Sequence, residues 1–447
     1  MARQMKDSGI AWIGEIPSHW QRVKTLYALE MPITDGPHET PELFDDGIPF
    51  VSAEAVSCGN GSIDFDHIRG FISEEYYNEC CKKYVPAMHD ILMIKSGATT
   101  GKVAVVDTAR TFTIWSPLAV FRFNSTVSDY QYMFYYLQSD AYQKQIENKW
   151  TFGTQQNIGM RTLEQLLLCL PPIDEQHRIA AFLDRRCAEI DAVMERTKAT
   201  IEEYKKLKQA VITEAVTKGV RGERKMKDSG IEWIGEIPEG WDIVKLKYFL
   251  SDDKVNLRVG PFGSALAGSD FVEEGEWVYN QRVVLDDNFI SNDTFVSASK
   301  YAELVGFEVI PDDVLITTRG SIGKVAIVPQ DAPRGILHPC IIKFRVNQDM
   351  IPHSILKHVF NDTDFVLRQI KEMSNSTTID VLYSYSLRNV LLPLIPMCEQ
   401  PEIAAYLDEK CAALDTLIAK NTALLTELET YKKSLIYEYV TGKKEVQ

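Results

Sequence analysis

Two long stretches of the chain repeat apolar positions every 3.5 residues, and the two sets correspond one to one. In the first, Leu183, Cys187, Ile190, Met194, Thr197, Ile201, Tyr204, Lys208, Val211 and Ala215 fall on one stripe. In the second, Leu407, Cys411, Leu414, Ile418, Asn421, Leu425, Leu428, Lys432, Leu435 and Tyr439 do, each 224 residues later. Both runs exceed four heptads, which predicts a coiled coil. Pro171 and Pro172 prevent the first helix from extending backward, and Gly219 and Gly442 stand near the far ends as C-terminal stops. Each helix then holds roughly 40 residues and is about 60 Å long at ~1.5 Å per residue. A stripe of that length must be buried, and the other helix is the natural partner. With ends matched and directions antiparallel, Cys187 lies near Leu435 and Cys411 near Val211.

The segments before each helix carry a different pattern. Phe50-Val51, Ile91–Ile94, Val103–Val106, Leu118–Phe123 and Leu166–Leu170 are short apolar, β-branched runs punctuated by Gly, Asp-Gly and Pro. They read as strands and turns. Tyr130–Gln145 and Ser354–Ile370 read as short helices. Each half is therefore a mixed α/β (α+β), strand-rich globule of about 165 residues followed by one helical rod.

The duplication extends to the letters. Met5–Trp20 (MKDSGIAWIGEIPSHW) and Met226–Trp241 (MKDSGIEWIGEIPEGW) agree at thirteen of sixteen positions, 221 residues apart. His89–Val106 (HDILMIKSGATTGKVAVV) is echoed by Asp312–Val328 (DDVLITTRGSIGKVAIV), and Leu170–Asp184 (LPPIDEQHRIAAFLD) by Leu394–Asp408 (LIPMCEQPEIAAYLD). Three anchors in one order at a nearly constant offset establish an internal repeat. Between the anchors the halves diverge: ITDGPHETPELFDDGIP at 33–49 has no counterpart in VGPFGSALAGSDFVEEG at 259–275. A constant frame with variable inserts suits a molecule that presents two different binding surfaces on one scaffold.

The net charge of −15 counts against a nucleic-acid ligand, because phosphate contacts need basic side chains. A local basic patch is compatible with an acidic remainder, and the deficit suggests that a basic partner shares any DNA contact. Eight cysteines form no C-x-x-C pair and read as buried, reduced thiols rather than as a metal site or disulfide framework. No apolar run reaches the ~18 residues of a membrane span, and the N-terminus lacks a signal-peptide core. A soluble, cytoplasmic protein is expected.

The sequence Gly97–Lys102 (GATTGK), repeated as Gly320–Lys324 (GSIGK), resembles a phosphate-binding loop but has the wrong spacing. Three and two residues separate the glycines where four are required, and Val103 and Val325 stand where Ser or Thr is needed. A glycine-bounded hairpin carrying a lysine is the alternative. No G-x-G-x-x-G, H-E-x-x-H, G-x-S-x-G or Asn/Asp-Pro-Pro-aromatic motif occurs, and Glu147-Asn148-Lys149 lacks the upstream Pro-Asp of a nuclease site. Two halves without a catalytic constellation point to recognition rather than catalysis.

The W-I-G-E-I-P repeat, Asp35–Pro41 (DGPHETP), Gly260–Ala265 (GPFGSA), the D-I-L…S-G…G-K-V-A segment, and P-P-I-D-E-Q before a long helix together resemble type I restriction-modification specificity subunits over essentially the whole chain. The resemblance implies two target-recognition domains, at 1–170 and 221–393 (with a short linker at 221–225). It also implies two spacer helices, at 171–220 and 394–447, forming an antiparallel coiled coil with internal pseudo-two-fold symmetry. Each domain would read one half of a bipartite, asymmetric site on double-stranded DNA. Two adenine-N6 methyltransferase subunits would dock on the helices, and two ATP-dependent restriction subunits on those. S-adenosylmethionine, ATP and Mg²⁺ would belong to the partners, leaving this chain non-catalytic and without cofactors. A coiled-coil adaptor that binds only protein is the alternative.

Base edges are read by Arg, amide, hydroxyl and aromatic side chains, and phosphates by Lys, Arg and backbone N–H groups. On that chemistry the first half offers Asp35, His38 and Thr40, then Lys95, Ser96, Thr99, Thr100 and Lys102, then Thr154, Gln155, Gln156 and Asn157. The second offers Arg258, Phe262, Ser264, Arg282, Thr318, Arg319, Ser321, Lys324, Asn375, Thr377 and Thr378. Each of these could instead serve turn or cap chemistry.

Overall fold

The computed structural model describes residues 3–152, 156–262, 265–373 and 381–446. Contacts divide the chain into two units, Met1–Lys198 with Ala423–Gln447, and Ala199–Thr422. These units cut both long helices, which the linear division at 170, 220 and 393 keeps whole. Each long helix is shared, because its far end is buried on the globule of the other half.

The two long helices are Ile173–Lys218 and Gln400–Val440. Every residue of the two stripes is buried or half-buried. Within the first unit Asp191 bonds Lys432 Nζ at 2.6 Å, and the Phe182 and Tyr439 rings lie 4.4 Å apart. Within the second, Asp415 bonds Lys208 Nζ at 2.7 Å. As one residue number rises the other falls, so the helices run antiparallel, and the two ion pairs are related by the repeat. Cys187 shares a core with Leu435, and Cys411 with Ile212 and Ala215. Gly219 and Gly442 end the helices with φ of 75° and 70°, a conformation open to glycine without strain.

Each globule is built on the same plan. The duplicated hexapeptide closes a hairpin, Met5–Asp7 with Glu15–Pro17 and Met226–Asp228 with Glu236–Pro238. A four-stranded antiparallel sheet follows. In the first half its order is Thr34–Asp35, Leu118–Phe121, Ile91–Ile94, Val103–Val105; in the second it is Leu257–Val259, Ile341–Phe344, Val314–Thr317, Val325–Ile327. The variable inserts build the second sheet. It has three strands in the first half and five in the second, where Phe271–Val272 and Phe295–Val296 form one of the added pairings. The predicted helices over 130–145 and 354–370 are each broken in two. Ser139 is extended (ψ 153°), separating Tyr130–Gln138 from Asp140–Glu147, and His353–Asn361 is separated from Phe365–Met373.

The Trp that ends each hairpin motif is the socket for a helix end. Trp20 lies in one core with Leu435, Ile436 and Val440, and Trp241 in the other with Ile212, Ala215 and Val216. A Cβ on Gly442 would collide with Pro17 and crowd Trp20, and one on Gly219 would collide with Arg224 and crowd Trp241. The Glu-Gln dipeptide at each helix start is the other half of the joint. Glu175 accepts from Arg3 and from His19 Nε2 (2.8 Å), while Glu399 accepts from Arg224 (2.8 Å) and Trp241 Nε1 (3.2 Å). Gln176 Nε2 donates to Val127 O and Pro171 O; Gln400 Nε2 donates to Met350 O and Ile395 O. The repeated letters are thus those that fasten rod to globule.

All eight cysteines are free thiols. Cys80, Cys169, Cys187 and Cys411 are buried as expected, but Cys58 and Cys398 are exposed, since each sits at an element end outside the core. Among the described residues no helix is long and apolar enough to cross a membrane.

Antiparallel pairing predicts a crosslinking pattern. Asp191→Cys with Lys432→Cys, and Lys208→Cys with Asp415→Cys, should each give an intrachain disulfide on mild oxidation. The native Cys187 and Cys411 should not. A Cys187–Cys411 bond, detected by peptide mapping, would require a parallel in-register pair and overturn the arrangement.

Candidate nucleic-acid interface

The four-stranded sheet of each half ends in a hairpin that carries the Gly-Lys sequence. In the first half the Gly101 amide donates to Ile94 O (2.8 Å) and that of Ile94 to Lys102 O (2.9 Å). In the second, Gly323 donates to Thr317 O and Thr317 to Lys324 O, both at 3.0 Å. Gly97, Gly101, Gly320 and Gly323 all have positive φ. This is the glycine-bounded hairpin, with no phosphate cradle at a helix start. Lys102 Nζ reaches Ser57 O (3.4 Å) and Lys324 Nζ reaches Asn361 O (2.5 Å), and both side chains remain exposed.

Backbone hydrogen bonds gather the variable segments beside each hairpin. In the first half Lys95 N–H donates to Pro117 O (2.7 Å), Ser116 N–H to Pro37 O (3.1 Å) and Ile158 N–H to Lys95 O (2.9 Å), and Ser96 bridges Asn157. In the second Thr318 N–H donates to Cys340 O (3.1 Å), Gly260 N–H to Ile341 O (3.0 Å) and Leu382 N–H to Thr318 O (2.9 Å), and Arg319 bridges Val381. One edge thus collects the loops at 36–40, 95–102 and 156–158. Its counterpart collects 258–262, 318–324 and 381–382. Gln281 lies against Gly320, which brings Arg282 beside the second edge.

The residues singled out in the sequence divide into three groups. Exposed or half-exposed at the edges are His38, Thr40, Ser96, Thr99, Thr100, Lys102, Gln156, Asn157, Phe262, Arg282, Arg319, Ser321 and Lys324. Thr100 spends its hydroxyl on Gly97 O, and Arg282 lies between Asp286 and Asp293. Others are engaged within the globule: Asp35 and Thr318 are buried and corrected as exposed contacts, while Lys95 and Arg258 are half-buried. Asp35 is fully buried, with Lys83 Nζ at 2.5 Å, His38 Nε2 at 3.1 Å and Lys95 Nζ at 3.3 Å. Burial alone would raise its carboxyl, but the Lys83 hydrogen bond and charge, reinforced by Lys95, hold it below the usual carboxylate range. Lys95 is itself 12% exposed in that pair. Thr318 is buried, its hydroxyl donating to Cys340 O (2.9 Å), and Arg258 donates to Gly306 O while stacking on Phe307. The third group, Thr154, Gln155, Ser264, Asn375, Thr377 and Thr378, lies outside the described residues.

The structure adds side chains that the sequence reading missed. The Arg69 guanidinium carbon lies 3.9 Å from the ring centroid of Trp115, whose next residues bond Pro37 and Lys95. Tyr383 and Tyr385 are 63% and 76% exposed immediately after Leu382. The alternation Tyr-Ser-Tyr before Arg388 was the available signal. Among the described residues no group of three or more His, Cys, Asp or Glu side chains could hold a metal ion.

Sequence comparison matches the type I restriction modification DNA specificity domain family twice, over residues 37–203 and 268–430. The chain belongs to that family. It is 26% identical, over 96% of this chain and 95% of the relative, to a putative type I restriction enzyme MjaX specificity subunit of Methanocaldococcus jannaschii. It is 24% identical to the MjaVIII specificity subunit of the same organism, over 85% of this chain and 84% of that one. A chain from a structure describing complex assembly and conformational transition of the type I restriction-modification system superposes with a TM-score of 0.68. That match has 17% identity and covers 96% of this chain and 99% of the other. It establishes the shared fold.

Behind each hairpin a buried carboxylate fixes the sheet. Asp90, fully buried, takes Arg122 Nε (2.7 Å) and Nη2 (2.8 Å), the Tyr84 hydroxyl (2.6 Å) and the Ala87 amide (2.9 Å). Asp313 takes Arg345 Nε (2.6 Å) and Lys343 Nζ (2.8 Å) in the repeat. Removing the carboxylate strands the guanidinium in the fold. Asp90→Ala should destabilise the full chain by about 3 kcal/mol, read as a lower urea midpoint. A change below about 1 kcal/mol, the median of a surface pair, would show the bridge to be peripheral.

Proposed function

We propose that this chain is the non-catalytic specificity subunit of a type I restriction-modification complex. In this reading each globule reads one half of a bipartite, asymmetric site on double-stranded DNA. The observation that carries it is the duplicated frame with divergent edges: the same hairpin and the same backbone bonds present Gln156 and Asn157 in one half and Arg319 with Tyr383 in the other. Base identity is read from such loops, while phosphate contacts only fix register. The paired helices set the spacing between half-sites and receive two adenine-N6 methyltransferase subunits, on which two restriction subunits assemble. S-adenosylmethionine, ATP and Mg²⁺ act in those partners. An acidic chain suits this division, because the methyltransferases then contribute much of the grip on the backbone.

Exchanging residues 25–165 for the matching segment of another family member tests the reading. Sequencing of methylated adenines in a host carrying the complex should show a bipartite motif in which only one half changes. If both halves change together, the domains do not read independently. If no methylated motif depends on this chain, it is an adaptor that binds only protein.

A further inference from the structure

We propose that Tyr383 and Tyr385 determine specificity by packing against thymine methyl groups in the half-site read by the second domain. This rests on the reading of the chain as a DNA-specificity subunit and adds the chemistry of one of its two surfaces. The short helix Ser384–Asn389 is anchored through Leu387, 0% exposed, and through Leu382 just before it, 2% exposed with its N–H bonded to Thr318 O. That anchoring holds the two tyrosines outward at a fixed place beside the hairpin. Among the described residues neither ring contacts another aromatic ring or a cation. Two such rings left in water beside Arg319 are apolar area awaiting a ligand.

The other exposed groups of this edge are Arg319, Ser321 and Lys324, with Arg282 beside it. Thr318 has its hydroxyl committed to Cys340 O and Lys324 Nζ is bonded to Asn361 O, so Arg319 is the cation that stands next to the two rings. The repeat sharpens the contrast. In the first half the positions equivalent to Tyr383 and Tyr385 are Gly159 and Arg161, next to Gln156 and Asn157. At these two positions the first edge offers a glycine and a cation, and the second offers two rings. In the major groove the apolar feature that separates one base pair from another is the thymine 5-methyl. Rings fixed at a sheet edge are suited to it, and they also discriminate without phosphate attraction, which this acidic chain lacks.

The experiment uses the full complex of this chain with its methyltransferase subunits and duplexes carrying the motif found by methylation mapping. Domain exchange assigns each half-site. Deoxyuridine then replaces thymine in one half-site at a time, removing only the methyl. In the second half-site the Kd by fluorescence anisotropy should rise roughly fourfold per contacted methyl, the worth of one buried CH₂; in the first it should not change. Tyr383→Phe with Tyr385→Phe should keep this sensitivity. Tyr383→Ala with Tyr385→Ala should bind more weakly and lose it. The proposal is overturned by a second half-site without a T·A pair, by no uracil penalty in the native complex, or by an alanine variant that retains the penalty. It is also overturned by a phenylalanine variant that loses the penalty, since the hydroxyl would then be the reader. Rings that stack on an unstacked base would tolerate uracil and count against it. Absence of any bipartite motif would instead defeat the parent reading.

Discussion

A helix with one apolar stripe of ten heptad positions is unstable alone in water, and everything else in this molecule follows from how that stripe is covered. In the middle it is covered by the opposite helix. At the ends it is covered by the globules, where Trp20 and Trp241 receive Val440 and Val216. Because the far end of each helix is seated on the half other than its own, each unit contains a part of both helices. Burying a large side chain is worth ~1.5–3 kcal/mol, so a socket of several such residues fixes the helix against sliding. The lysine at the equivalent stripe position, Lys208 or Lys432, meets Asp415 or Asp191 and fixes direction as well. Register and direction are what a spacing device must hold constant.

The frame was legible in the sequence because it is written twice. Periodicity located the helices, the proline and glycine signals located their ends, and the antiparallel neighbours of Cys187 and Cys411 followed from matched lengths. The socket was not legible. Nothing in W-I-G-E-I-P states that its tryptophan receives the end of a helix, since that contact joins residues more than four hundred positions apart in the first half. The broken helices were missed for a local reason. Ser139 turns its hydroxyl onto Tyr136 O (2.6 Å) and starts a new helix, a choice that side-chain competition for backbone groups permits but does not announce.

At the edges residue type was legible but direction was not. Asp35 stood in the right loop, yet β pairing with Ala119 turns it into the interior, where it organises Lys83, Lys95 and His38 instead of meeting solvent. Its repeat partner is Val259, and the partner of Lys95 is Thr318, so the charged pair of one half is replaced by uncharged side chains in the other. The pair is therefore not required by the frame. Tyr383 and Tyr385 were passed over because exposed aromatics cannot be distinguished from core aromatics by composition. Only the burial of Leu382 and Leu387 beside them fixes their outward direction.

The location of the charge then constrains how such a surface can act. The first long helix carries nine acidic and nine basic side chains, and the second seven and four. Most of the net charge of −15 therefore belongs to the globular parts. Many of the rod cations are also engaged by a carboxylate one turn away, as in Lys198 with Glu195 and Lys205 with Glu202. Such exposed pairs add little stability, but they leave little free positive charge for phosphates. A duplex approaching an acidic globule gains little from counterion release and must be held by contacts within the groove or by a partner's basic surface. Phosphate contacts strengthen right and wrong sites alike, so having few of them lowers both affinities and leaves discrimination to the groove contacts. Selectivity and grip are therefore separable, and a chain that supplies only the first can draw the second from elsewhere without changing which sequence it prefers.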